Sequence, residues 1–412
     1  MTSDGPGARA EGVSADGPLK GITVIEMASW VMVPACGAIL SAYGADVIKV
    51  EPAGSADPAR YGRREVDGEP VEPGFELVNN RKRSVQLDLG TAAGQEVMRR
   101  LLERADVFIS NVRAKSLERS GIDPNALHAR YPELVIAHGS GYGPEGANSD
   151  RPAFDELAYW SRGGIGHALM TDDNPPVQLQ GAMGDMPSGV HMVAGVMMAL
   201  FRRERGGGGS VVDVSLYASG IWANGWLLQD VLLGGPEPSA RGRRYRVNPL
   251  YTNYQCSDGA WIQFAMFQTD RYWPPVCEVV GRPELIDDER FATHSDRIAN
   301  SHAAVLELQE AIRHMKLGEI GPLLDARDLP WSPIFSLTDI AGDEQARING
   351  YIVAKQHRSG VEIDVLAPPF LLRDVDIEMG PAPEVGQHLE EALLEVGYSW
   401  DDIDRLRNEG AF

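Results

Sequence analysis

The sequence predicts an α/β protein: a large Rossmann-like domain on a mostly parallel sheet, with a smaller α+β domain placed late in the chain. Three observations carry this. From Gly21 to about Ser219, apolar runs of strand length alternate with stretches of helical periodicity, the pattern of a sheet whose strands are joined by helices. Beyond Leu216 the chain turns Trp-rich and apolar, then breaks at GGPEPSARGRR, a composition shift that marks a crossover. After the break, an Asp258-Gly259 turn joins two strand-like runs, and helical runs follow.

Taken in order, residues 1–17 are rich in Gly, Ala, Ser and Asp without an apolar core, which reads as a disordered tail rather than a signal peptide. The large domain spans 18–215. GITVIEM and ADVIKVE are strands around a helix VPACGAILSAYG; SVQLDL, DVFISNV and LVIAHGSGYG are further strands, with TAAGQEVMRRLLERA a helix. In a parallel sheet ligands gather at the carboxyl ends of strands, which places Asn111 and the Ser140-Gly141 turn where they can meet one. Gly206 to Gly209 ends a long helix and leads into the strand SVVDVSLYAS. A crossover linker occupies 216–245 and the small domain 246–337, with strands YTNYQCS and AWIQFAM and helices around PPVCEVVG, HAAVLELQEAIRHM and GEIGPLLDA. Residues 338–412 return to complete the large domain, with IVAKQHR and VEIDVLAP as strands.

Charge narrows the function. A net charge of −21 over 412 residues argues against non-specific binding to nucleic acid or an anionic membrane. That charge is segregated. Between Asn79 and Arg130 ten basic residues face six acidic ones, whereas residues 371–412 hold three arginines against eleven acids. The basic segment is where a phosphate-rich ligand could be held. Cys36, Cys256 and Cys277 show no metal-ligand or CxxC spacing, so they read as reduced structural thiols, and no metal site is expected. No run approaches the length of a membrane span, and a cytoplasmic protein is expected. Gly141-Tyr-Gly-Pro-Glu-Gly146 matches a dinucleotide fingerprint literally, but Pro144 and the polar residues after it read as loop, not as the opening of a helix.

The chemistry concentrates between Arg151 and Arg205. Apolar residues at Val193, Val196, Met197, Leu200 and Phe201 recur at the spacing of a one-faced helix. Asp185 stands where that helix begins, after Gly184 and before Pro187, so the helix end should favour its anion. Position alone makes it a cap; likewise Asp155, in DELAYW, is by spacing only a surface or cap acid.

GAMGDMPSGVHM, with PAFDELAYWSRGG thirty residues upstream, resembles the active-site segment of the family III CoA-transferases, the group of formyl-CoA and carnitine CoA-transferases, related to acyl-CoA racemases. PLKGITVIEM, YGADVIKVEP, NNRKRSVQLDL, ADVFISNVRAKSLERSGID, SGYGPEG and VGQHLEEALLEVGYSWDDIDRL resemble the same family, in order, over about residues 18–412. The resemblance implies an interlocked homodimer and an enzyme moving CoA from an acyl-CoA to a free carboxylic acid. CoA is then a co-substrate and no tightly bound cofactor is needed. It implies Asp185 as nucleophile, with Gly184 leaving room and lending its backbone to the oxyanion, and Asp155 as a pocket acid. Lys82, Arg83, Asn111 and Arg119 are implied CoA contacts.

Departures limit the substrate. Pro52-Ala53 replaces consecutive arginines after Glu51, Val31 replaces an early Gln, and Arg246 to Tyr251 replaces a Gly-rich loop. Formate and oxalate fit poorly, while Trp30, Tyr159, Trp160, Trp222 and Trp226 hint at a larger apolar acyl group. Phe154 stands where related racemases carry His, and cannot move a proton. A racemase or isomerase of the same fold and a non-catalytic acyl-CoA-binding protein remain the alternative readings.

Overall fold

The computed structural model describes residues 17–171, 175–238 and 248–412. The expected tail before Gly17 and the end of the crossover linker, at 239–245, lie outside the described residues.

Six strands form the main sheet: β1 (Thr23–Met27), β2 (Asp46–Pro52), β3 (Arg83–Leu87), β4 (Val107–Ser110), β5 (Val135–Ser140) and β6 (Val211–Ser215). Their order is β3-β2-β1-β4-β5-β6, and every neighbouring pair is parallel. This is the doubly wound order, which reverses direction between β1 and β4 and leaves a crevice beyond their carboxyl ends.

The strands are near-continuous apolar runs because both faces of the sheet are covered. One face, with Val24, Val47, Val107, Ile109 and Val135, packs on α1 (Met32–Ala42) and α3 (Asp185–Arg202). The other, with Ile25, Ile48, Val85, Phe108 and Ile136, packs on α2 (Ala92–Glu103) and on Leu393, Ile403 and Leu406 from the C-terminal helices Leu389–Glu395 and Trp400–Asn408. Thr91 caps α2 by accepting from the Gly94 N–H at 3.0 Å. At the far end of α3, Gly206 takes a φ of 78° and closes the helix, as the glycine run suggested. No helix opens on Gly141 to Gly146, so the dinucleotide fingerprint there has no structural counterpart.

The chain divides into two compact units. The first comprises Met1–Gly166, Gln178–Pro236 and Gln345–Phe412; the second comprises His167–Val177 and Glu237–Glu344. In the second, antiparallel strands Asn253–Gln255, Trp261–Phe264 and Trp331–Pro333 form a sheet over a core of Tyr254, Phe264, Trp273 and Phe291. The strand Trp331–Pro333 was not expected, since three residues carry no period. In the first unit, Ile352–Gln356 and Glu362–Leu366 pair with each other as an antiparallel ribbon outside the main sheet. Among the described residues no helix is long and apolar enough to cross a membrane.

Candidate active site

Asp185 is the first residue of α3, and Gly184 occupies the cap position without a side-chain bond. The expectation that the helix end favours the Asp185 anion is corrected here. Burial, then the charges of Asp155 and Glu156, push its carboxyl from 3.8 up to about 7. A helix end offers at most about 2 kcal/mol to a favourably placed charge, and desolvation among like charges outweighs it.

Asp155 is buried, and its Oδ2 accepts from the Gly184 N–H at 2.9 Å. That bond pins the residue before Asp185 to the start of the wide helical turn Glu156–Arg162. Burial, and the neighbouring Asp155, also raise the Glu156 carboxyl. Glycine is required at 184 for room: a Cβ there would stand 2.7 Å from the Tyr159 ring. The Gly184 N–H is therefore engaged, the Met186 N–H donates to the Ala182 carbonyl at 3.0 Å, and Pro187 has none. The expected oxyanion contribution from the Gly184 backbone is not met in this state, because Asp155 already takes the donor.

α1 crosses α3 next to the site. A Cβ on Gly189 would lie 2.7 Å from the Met32 carbonyl oxygen, so the first turns of the two helices touch through glycine. A cleft of about 640 Å³ opens past the carboxyl ends of β1, β4 and β5, lined among others by Trp30, Asn111, Arg113, Lys115, Phe154 and Asp185.

The loop entering α1 is clamped from several sides. Lys49 Nζ donates to the Ala28 carbonyl at 2.8 Å, and the Trp30 N–H donates to Asp57 Oδ1 at 3.0 Å. Asn111 holds Ser29 both ways, accepting from its N–H at 3.1 Å and donating to its carbonyl at 2.7 Å. Between these bonds Trp30 is held at a φ of 66°, a left-handed conformation that costs a bulky residue about 1–3 kcal/mol. Its ring meets Phe154 edge-on, with centroids 5.9 Å apart.

The other implied CoA contacts fare differently. Lys82 is corrected: its Nζ is fully buried, 2.7 Å from Glu26 Oε2, 2.9 Å from the Pro34 carbonyl and 3.0 Å from Asn79 Oδ1. An ammonium so enclosed does not meet a phosphate arriving from solvent. Arg83 is corrected likewise, donating to Asp46 at 2.9 Å and Glu395 at 2.8 Å. Arg81 pairs with Glu378. Arg119 is exposed and bonds only locally, to the Lys115 carbonyl and Ser116 Oγ. Sequence reading missed Arg113 and Lys115 in the cleft, though both lie in the basic SNVRAKSLERSG run, and it missed Glu156, visible as the second acid of the DE pair.

Other reactive groups of the described residues are accounted for by packing or pairing. Burial pushes the Cys36 thiol far above its ordinary value, with Glu26 adding to the effect, which removes it as a nucleophile. His191 Nδ1 bonds Ser219 Oγ at 2.9 Å, as a packed side chain, and His167 lies 3.5 Å from Glu237. Glu72, Glu76 and His357 cluster with metal-like spacing, but Lys355 and Arg358 already neutralise the two acids at 2.7 and 2.6 Å.

The sequence profile described as CoA-transferase family III matches residues 19–389. The chain is 33% identical to (R)-2-hydroxy-4-methylpentanoate CoA-transferase of Clostridioides difficile, over 95% of this chain and 98% of that one. It is 29% identical to cinnamoyl-CoA:phenyllactate CoA-transferase of Clostridium sporogenes, over 95% and 96% of the respective chains. Among solved structures, a CAIB/BAIF family protein from Brucella suis superimposes with a TM-score of 0.83 at 29% identity, covering 92% of this chain and all of that one.

Proposed function

The chain belongs to CoA-transferase family III and is an enzyme that moves CoA between an acyl-CoA and a carboxylic acid; from that premise we propose that Asp185 is the nucleophile that carries CoA. The supporting observation is its carboxyl, set in the cleft and held near 7 by burial and two neighbouring acids. A carboxylate of raised basicity attacks a carbonyl better than an ordinary one, yet is substantially ionised near neutrality.

The steps balance without redox change or a net proton. The Asp185 carboxylate adds to the thioester carbonyl, the C–S bond breaks, and CoA thiolate leaves a mixed anhydride. The thiolate then attacks the Asp185 carbonyl carbon and expels the donor as a free carboxylate, leaving an aspartyl-CoA thioester. The acceptor carboxylate attacks that thioester, and the released thiolate takes the acceptor's acyl carbon, restoring Asp185. Asp155 positions the nucleophile through the Gly184 N–H. Arg113 and Lys115, which line the cleft, are cations available to the phosphates of CoA, with the ionic Lys115–Asp150 contact at 2.7 Å exposed and exchangeable.

The acid is an apolar one bearing a 2-hydroxyl. The names of the two relatives, with 4-methylpentanoate and phenyllactate, and the aromatic lining of the cleft support this. Phe154 offers no proton relay for the racemase alternative. A homodimer belongs to the same reading: Trp222 and Trp226, on helices Leu216–Ala223 and Gly225–Leu232, are 78% and 92% exposed and call for a covering partner. So does a reducing cytoplasmic setting, with three buried free cysteines.

The test is to trap the thioester. After incubation with acyl-CoA, hydroxylamine should convert Asp185 to its hydroxamate with release of CoA, on the peptide containing GAMGDMPSG. Modification elsewhere, or none despite measured turnover, overturns the assignment.

A further inference from the structure

Trp30 is the residue in the cleft whose presence is hardest to account for by folding alone. A left-handed backbone suits glycine and penalises a bulky side chain, yet position 30 carries tryptophan at a φ of 66°. Four hydrogen bonds, from Lys49, Asp57 and Asn111, fix the three residues Ala28, Ser29 and Trp30. Such over-determined strain accumulates where a side chain must be presented in one place. The indole is not used to fill the core: it is 46% exposed, and its partner Phe154 is 54% exposed, in edge-to-face contact within the cleft.

Two contacts place this pair at the acyl end. Phe154 immediately precedes Asp155, whose carboxylate holds the Gly184 N–H beside Asp185. Trp30 enters α1, whose first turn meets α3 at Gly189, one turn after Asp185.

We propose that Trp30 and Phe154 form the wall that selects the acyl group, favouring aromatic or branched apolar chains over small ones, with Asn111 as a positioning residue that holds the Ser29–Trp30 loop. This rests on the cleft being the CoA-transferase site, and goes beyond it by naming the selecting residues.

The test uses the full-length protein and two thioethers that cannot transfer CoA, S-benzyl-CoA and S-methyl-CoA, titrated by calorimetry. The wild-type protein should bind S-benzyl-CoA about tenfold more tightly, the scale of one good aromatic contact. Trp30→Gly, which suits the backbone, and Phe154→Ala should each reduce that preference severalfold and leave S-methyl-CoA affinity unchanged. Equal binding of both thioethers by the wild type overturns the proposal, as does a preference that survives both variants. An equal loss for both ligands also overturns it, because the rings would then be contacting CoA itself. Should Trp30→Gly not fold, Phe154→Ala decides. Discrimination by the wild type that both variants lose, in a protein that transfers CoA among no acids, would defeat the transferase reading and leave the two rings as the selecting wall of an acyl-CoA site.

Discussion

Two groups of charge lie in the same compact unit of this chain, and they are resolved in opposite ways. Around Glu26, acids and bases are matched. Glu26 Oε1 and Oε2 meet Lys49 at 3.0 Å and Lys82 at 2.7 Å, and Lys49 also meets Asp57 at 2.8 Å. Burial pulls Lys49 down, but Glu26 and Asp57 together outweigh it, and the ammonium ends above its ordinary value. Gly37 leaves the space, since a Cβ there would sit 2.0 Å from Glu26 Oε2. Around Asp185, three acids gather, and among the described residues no cation offsets the push on its carboxyl. There the strain appears as raised basicity. A matched cluster holds a loop in place; an unmatched one keeps a carboxylate reactive.

The widest separation between the two should come from Asp185→Asn. Turnover should fall by at least about a thousandfold, the usual scale for losing a covalent nucleophile. Stability should move the other way. A carboxyl raised in the folded state is destabilising once ionised, so the variant gains nothing below the ordinary value of 3.8 and most above about 7. The ceiling on that gain is about 4 kcal/mol. Melting curves at pH 4.0 and 8.0 would check the sign; a variant less stable than wild type at pH 8.0 would show that the fold favours the ionised carboxylate after all.

Lys82→Met should break the matched cluster. Leaving part of a buried pair unneutralised typically costs about 3–5 kcal/mol, which urea denaturation would read as a large drop in midpoint. An unchanged midpoint together with weakened CoA binding would return Lys82 to the ligand site.

Glu156→Gln should have the smallest effect. It removes one of the two charges that raise Asp185, so the acid limb of the kcat/KM profile, rising as Asp185 ionises, should shift to lower pH, by less than about one unit. A shift to higher pH would contradict the proposed ionisation.

Much of the architecture was legible because strands and helices declare themselves over a few neighbouring residues. GITVIEM, ADVIKVE and DVFISNV are strands by their apolar runs, and the helix from Asp185 follows from its one apolar face. Two of the three acids of the candidate site, Asp155 and Asp185, could also be picked out, by family resemblance rather than spacing. The role of Lys82 could not. Its partner Glu26 lies 56 residues away, on β1, and nothing in NNRKRS distinguishes a buried ammonium from a phosphate ligand. One signal was available: Glu26 and Lys49 are charges flanked by apolar residues within their strands, and charges so placed must be paired.

The sequence alone therefore determined the alternating strands and helices, the helix that begins at Asp185, and the family to which these segments are similar. Tertiary structure decided which charges are matched. It set the bond from the Gly184 N–H to Asp155, 29 positions away, the direction in which the Asp185 carboxyl moves, and the left-handed turn that presents Trp30. The division has a physical cause. Hydrophobic periodicity is a property of neighbours along the chain, whereas desolvation and Coulomb energy depend on what folding brings alongside, wherever it lies in the sequence.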